Sequence, residues 1–199
     1  TEFFRPGVHA EQPGRPEHSM RLGFAGRLDD PRKNAPLLFD ALAKLRERRI
    51  DVTLSVTGDP TPQLHVLIDR HGVEDCVEFC GHLSRAELRD FYQALDVFIL
   101  TSHQEGFAIV AMEAMACGIP VVSTNCGGPA DYVVSGKTGY LTGFSVDEIA
   151  DAIAEIATNQ GLSATLAQNA RDTAVTRYSY REFSRQLRRA WRETWDESL

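Results

Sequence analysis

Apolar positions along the chain follow two alternating rhythms. Short, nearly continuous apolar runs occur at MRLGFAG (20–26), VTLSVTG (52–58), VEFCG (77–81), DVFIL (96–100), PVVST (120–124) and GYLT (139–142). Runs of that length and continuity predict strands covered on both faces, as in a parallel sheet. Between them the period lengthens. NAPLLFDALAKLRERR (34–49) is apolar at 37, 38, 41, 42 and 45, a helical spacing. Ser84/Glu87, Ser145/Glu148 and Ser179/Glu182 each predict a helix start with a capping box, and Gly72 and Gly118 suit helix ends. Strand and helix taking turns predict an α/β fold, a Rossmann-like doubly wound parallel sheet. Ligands of such sheets sit at the carboxyl ends of the strands, so chemistry is sought in the loops that follow them.

Composition narrows the classes. A net charge of −7 argues against a general nucleic-acid or anionic-membrane surface, which makes any local basic cluster more informative. Cys76, Cys80, Cys117 and Cys126 form no CxxC pair and no zinc spacing, so they are expected to be free thiols in a reducing, cytoplasmic setting. No apolar run is long enough to span a membrane, and membrane association is not evident. The start, TEFFRPGVHAEQPGRPEHSM, does not open on Met and is rich in Pro, Gly and charge. It reads as a linker entering a domain, which suggests a fragment or processed chain. The expected organisation is a linker-like segment over 1–19, a nucleotide-sugar-binding domain over 20–178 and a terminal helix over 179–199.

Several signatures are only partial. SGKTG (135–139) lacks the glycine of a phosphate loop where Asp131 stands, and GFAGRL (23–28) lacks the third glycine of a dinucleotide fingerprint. No DxD pair and no GxSxG elbow is present, and no metal site is expected. The loop GRLDDPRKNAP (26–36) holds Arg27, Arg32 and Lys33 just before a helix. These cations are either a solvated patch or, for Arg27 and Lys33, a seat for two adjacent phosphates at a helix start. Asp29 and Asp30 would hold Arg32 or cap the turn. The stretch EGFAIVAMEAMACGIPVV (105–122) is apolar except for Glu105 and Glu113. A carboxylate buried in the predicted helix 108–117 needs partners: a core Arg, Lys or hydroxyl, or the vicinal hydroxyls of a ribose. Glu105 would meet another hydroxylated group. Between the two acids, the backbone N–H groups of Gly106 to Ile109 open the helix and can receive a phosphate. An acid pair, a free helix start and an Arg/Lys pair together suit a sugar nucleotide diphosphate.

GRLDDPRKN, VTGDP, EGFAIVAMEAMACGIPVVST, NCGGPADYV and GKTGYL follow one another in the order seen in a known family. The chain resembles the donor-nucleotide, C-terminal domain of retaining GT-B-fold glycosyltransferases (group 1, family 4 type) over nearly all of 20–145. The resemblance implies that Gly26, Arg27 and Lys33 bind the donor diphosphate and that Glu113 binds the ribose. It places Glu105, with the backbone of Gly106 and Phe107, on hydroxyls of the transferred sugar, and the Ala108 and Ile109 N–H groups on the phosphates. Residues from Gly81 to Leu83 would border the base. Three positions depart from the family pattern: Ala108 and Asn34 where Gly is usual, and Asp131 where Glu is usual.

The resemblance further implies transfer of a hexose from a GDP-, UDP- or ADP-linked donor to an acceptor hydroxyl, with retention, no metal and no cofactor. Arg27, Lys33 and Glu105 would carry the catalytic roles, the cations by stabilising the departing diphosphate. Front-face attack is the usual proposal; a double displacement through Glu105 is the alternative. The acceptor would be bound by a missing N-terminal domain, toward which YSYREFSRQLRRAWRETW crosses back with Trp191 and Trp195 in one stripe. The chain alone would bind donor nucleotide weakly and be nearly inactive. Rival readings are a non-catalytic sugar-nucleotide-binding domain, against which the presence of Arg27, Lys33 and both glutamates weighs, and an epimerase, whose ring chemistry needs different acids while the E-x7-E spacing of Glu105 and Glu113 speaks for transfer.

Overall fold

The computed structural model describes residues 2–7 and 19–195. Six strands form one parallel sheet: β1 Met20–Phe24, β2 Val52–Val56, β3 Val77–Phe79, β4 Val97–Leu100, β5 Val121–Thr124 and β6 Gly139–Thr142. Each lies inside a run expected as a strand. Their order is β3-β2-β1-β4-β5-β6, with Leu22 of β1 paired to Leu54 of β2 on one side and Val97 of β4 on the other. The chain therefore winds outward in one direction from β1 and in the other from β4. The crevice at the carboxyl ends of these two central strands is the topological switch point.

Seven α-helices accompany the sheet: α1 Ala35–Glu47, α2 Pro62–His71, α3 Arg85–Gln93, α4 Ile109–Ala116, α5 Val146–Thr158, α6 Gln160–Tyr178 and α7 Tyr180–Trp195. α1 packs with α2 and α5, while α4 packs with α3 and α6, so β4 is covered on both sides and its four residues are at most 1% exposed. The two predicted helix ends are left-handed glycines. At Gly118, φ is +80°, and the N–H groups of Gly118 and Ile119 return to the carbonyls of Met115 and Ala114, a Schellman closure.

Of the three expected capping boxes, only Ser84/Glu87 is reciprocal. Ser145 and Ser179 do accept the N–H groups of Glu148 and Glu182. Their glutamates, however, are drawn elsewhere: Glu148 takes the Gly143 N–H at 2.6 Å, and Glu182 takes Arg185 at 2.6 Å and Gln186 at 2.8 Å. A charged or better-aligned donor outcompetes the cap's own backbone N–H.

Residues 2–7, part of the segment expected as a linker, are packed onto the domain. Phe4 is 5% exposed and belongs to the core, and its carbonyl accepts Arg171 Nη1 at 2.9 Å. Phe3 lies under the Arg85 guanidinium at 4.5 Å, a cation–π contact. Residues 1 and 8–18 of that expected linker, and 196–199 of the final segment, lie outside the described residues. Ser179, in extended conformation, separates α6 from α7. α7 buries no residue; Tyr180, Phe183, Leu187, Trp191 and Trp195 form an exposed stripe, with the two indoles stacked at 5.4 Å. Among the described residues no helix is long and apolar enough to cross a membrane. Cys76, Cys117 and Cys126 are buried free thiols, while Cys80 is free and exposed.

Candidate functional site

The loop after β1 leaves the sheet through Ala25 and Gly26. Gly26 has φ +133°, a conformation that side chains rarely adopt, and its N–H donates to Thr57 Oγ1 at 3.0 Å. Arg27 follows, 82% exposed, with its guanidinium paired to Asp29 at 3.4 Å. Arg32 is committed elsewhere. Asp30 accepts its backbone N–H at 2.9 Å and its guanidinium at 2.6 Å, and those bonds hold the Asp30 carboxyl down at about 2. Of the three loop cations, then, one serves the turn. A short 3-10 turn, Pro31–Lys33, delivers Lys33, and Asn34 follows at φ +53° to start α1.

The loop after β4 is stitched to this one. Thr101 Oγ1 donates to the Lys33 carbonyl at 2.9 Å, and the His103 N–H donates to the Arg32 carbonyl at 2.7 Å. The stitching brings Lys33 Nζ to 2.6 Å from Glu105 Oε1, both side chains being largely shielded, at 19% and 12% exposure. Ser102 Oγ, fully buried, donates to the same oxygen at 2.7 Å. Both bonds fall on Oε1, which leaves Oε2 available to a ligand.

A second clamp comes from the turn after β5. The Glu105 N–H donates to the Cys126 carbonyl at 2.7 Å, and the Gly128 N–H donates to the Glu105 carbonyl at 3.1 Å. A Cβ on Gly128 would fall 1.9 Å from the Gly106 carbonyl oxygen, so no side chain fits there. Tyr132 Oη donates to the carbonyls of Phe107, at 2.7 Å, and Ala108, at 3.2 Å. Ala108 is thereby held at φ +55°, ψ +65°, just ahead of α4. Among the described residues, the N–H groups of Gly106 through Val110 have no acceptor within the protein. Gly106 faces open space. This is an anion-receptive helix start, with Lys33 beside it.

An open cleft of ≈ 450 Å³ lies on the β1 side of this start. Gly26 and Arg27 line it from β1, Thr57 and Asp59 from β2, His82 and Leu83 from β3, and Val110 from α4. Of the residues expected at the site, Gly26, Arg27 and Leu83 line the cleft directly. Lys33, Glu105, Gly106, Phe107, Ala108 and Ile109 are gathered at its edge around the helix start. Glu113 does not line it. It lies one helical turn beyond Val110 and accepts Tyr92 Oη on Oε2 at 3.0 Å, and burial pushes its carboxyl above the usual carboxylate range. The partner that so isolated a charge required is therefore a hydroxyl.

His82 lines the cleft within the Gly81–Leu83 segment expected to border the base. Sequence reasoning missed Thr57, Asp59, Ser102, Tyr92 and Tyr132. The first two follow the carboxyl end of β2, where the rule for doubly wound sheets already pointed. Asp59 and His82 face each other at 3.2 Å across the cleft mouth. The others carry no local signal, since each acts on a partner at least three positions away, and Tyr132 and Tyr92 on partners more than twenty away. SGKTG closes as a turn onto β6, with the Gly136 N–H bonded to the Gly139 carbonyl at 3.0 Å, and no helix follows it directly. Among the described residues no group of three His, Cys, Asp or Glu is arranged to hold a metal.

Residues 8–173 match the family described as Glycosyl transferases group 1. Among curated proteins, the chain is 38% identical over 184 residues to a D-inositol 3-phosphate glycosyltransferase of Kribbella flavida, covering 85% of this chain and 43% of that protein. Among solved structures it superposes on sucrose-phosphate synthase from Thermosynechococcus elongatus with a TM-score of 0.84 at 26% identity, covering 98% of this chain and 51% of that one. The Anabaena protein HepE, in complex with UDP and glucose, matches with a TM-score of 0.77 at 30% identity, over 88% of this chain and 49% of that one. The chain thus spans about half the length of the relatives it matches.

Proposed function

The chain belongs to the group 1 glycosyl transferases, and on that premise we propose that it is the donor half of a metal-independent, retaining hexosyltransferase using a nucleoside diphosphate sugar. The observation that carries this reading is the switch point itself, where an open cleft lined by Arg27 runs up to a helix start that is unsatisfied among the described residues and has Lys33 beside it. The base lies in the cleft between Gly26 and Leu83, and the ribose extends past Val110 toward Glu113. The diphosphate lies against Lys33, Arg27 and the N–H groups of Ala108 and Ile109. The hexose reaches Glu105, whose free Oε2 accepts its hydroxyls alongside the backbone of Gly106 and Phe107. Glu113, presented from α4, accepts the ribose hydroxyls.

In this arrangement the bond to the anomeric carbon breaks as charge accumulates on the diphosphate. Fixed donors already aimed at that charge stabilise the transition state more than the ground state. Support for a uridine donor comes from HepE, the neighbour in complex with UDP and glucose. The acceptor is held by a further N-terminal domain, against which the bare apolar stripe of α7 packs. The chain alone binds nucleotide weakly and turns over little. Its free thiols suit a cytoplasmic setting.

The test is a thermal-shift titration with UDP, GDP and ADP. At about ten times Kd, one of them should raise Tm by roughly 3–6 °C, and Arg27→Ala should abolish the shift. Equal, small shifts with all three that survive Arg27→Ala would overturn the reading.

A further inference from the structure

The ribose role given to Glu113 above is the reading on which the following rests. Its carboxylate projects from α4 toward α3. Tyr92 reaches it there, and among the described residues no other side chain hydrogen-bonds to it. Tyr92 is fully buried, with its ring edge-on to Phe4 at 5.8 Å, Phe91 at 5.6 Å and Phe98 at 5.8 Å. Packed on these sides, the ring has little freedom to turn, so the hydroxyl is a fixed point rather than a mobile one. Burial and the neighbouring Glu113 push its ionisation far upward, so it remains a donor at every relevant pH. Among the described residues, the other charged and titratable groups around Glu113 include Arg85 of α3, Cys117 at the end of α4, and Arg171 of α6 beside Cys117.

The choice of partner matters chemically. Arg32 grips Asp30 through both carboxylate oxygens, and that acid is fully used by the contact. A neutral phenol takes one oxygen only. It fixes the carboxylate's direction without cancelling its charge, and it leaves Oε1 and a lone pair of Oε2 to accept two ligand hydroxyls. Glutamate is otherwise a flexible side chain, and holding it in one rotamer costs conformational entropy. We propose that Tyr92 is a positioning residue that aims Glu113 at a vicinal diol, and so sets the preference of the site for ribo- over deoxyribonucleotides.

Calorimetric titration of the chain with UDP and 2′-deoxy-UDP tests this. The unsubstituted protein should prefer UDP by roughly tenfold or more, the effect of a hydroxyl bonded to a charged acceptor. Glu113→Gln should reduce the ratio to near one. Tyr92→Phe keeps the ring and its packing. It should lose roughly tenfold in UDP affinity with little change for 2′-deoxy-UDP, again bringing the ratio near one. Phe98→Leu, which loosens the seat of the ring and keeps the hydroxyl, should give an intermediate ratio. Phe39→Leu, a core change within α1, should lower Tm and leave the ratio intact. A Tyr92→Phe protein that retains the full ratio while Glu113→Gln loses it would overturn the proposal and leave the ribose role standing. A full ratio in Glu113→Gln would instead remove the ribose role, and the proposal with it.

Discussion

Lys33 and Glu105 neutralise each other in the ligand-free protein, 2.6 Å apart and largely shielded from water. On the proposed reading, a diphosphate arriving at the α4 start draws Lys33 away from that carboxylate, so Glu105 opposes binding of the bare nucleotide while favouring the sugar, whose hydroxyls donate to its Oε2. Glu105→Gln should therefore bind UDP about three- to tenfold more tightly, the weight of a charge-assisted bond partly open to solvent, while affinity for UDP-hexose falls. Calorimetry with both ligands reads the two signs, and a parallel loss of both would contradict the exchange. Ala108 and Asn34 stand where the family pattern has Gly, and both adopt left-handed φ, +55° and +53°. Asn accepts that region through local hydrogen bonding; Ala does not, at about 1–2 kcal/mol. Replacing Ala108 by Gly should stabilise the protein by about 0.5–1 kcal/mol once the entropy of glycine is set against the relief, measured as a higher denaturant midpoint at unchanged slope.

Among the elements, the loops after β1, β4 and β5 are built as one piece. Thr101, His103, Gly128 and Tyr132 tie them through backbone groups, so the helix start and the Lys33–Glu105 pair hold one geometry before any ligand arrives. Gly128→Ala would drive a methyl into the Gly106 carbonyl, at 1.9 Å, and should cost about 3 kcal/mol or abolish folding; a drop in Tm of under 2 °C would show that the clamp yields. The elements themselves were legible because buried parallel strands must be continuously apolar, and every expected strand contains an observed one. Ala108 to Cys117 was expected as the helix that proved to be Ile109–Ala116. Glu113 stood out as an isolated charge, but its partner is 21 residues upstream and no pattern pairs the two. Capping was overstated for the opposite reason. A Ser-x-x-Glu spacing is local, whereas Arg185 and the Gly143 N–H compete for the glutamates in ways that spacing does not record.

At the scale of the molecule, strand order decides where chemistry can occur. With β1 and β4 adjacent and their crossovers leading opposite ways, the crevice at the carboxyl ends of the central strands is lined by Arg27 and Val110, with Lys33, Glu105 and the free helix start at its edge. A net charge of −7 makes the cations of this loop, Arg27 and Lys33, a local exception at the cleft and its edge. The chain spans about half of its relatives' length, and α7 leaves five large apolar side chains bare, which fits the proposal that another domain closes over this face. The central claim is that a nucleotide binds at the switch point, and backbone amide NMR on addition of UDP tests it most directly. The account predicts shifts concentrated at Gly26, Arg27, Thr57, Leu83 and Gly106 through Val110, with β6 and α7 silent. Shifts centred instead at the opposite end of the sheet, around Ser19, Asp96 and Gly118, would contradict it.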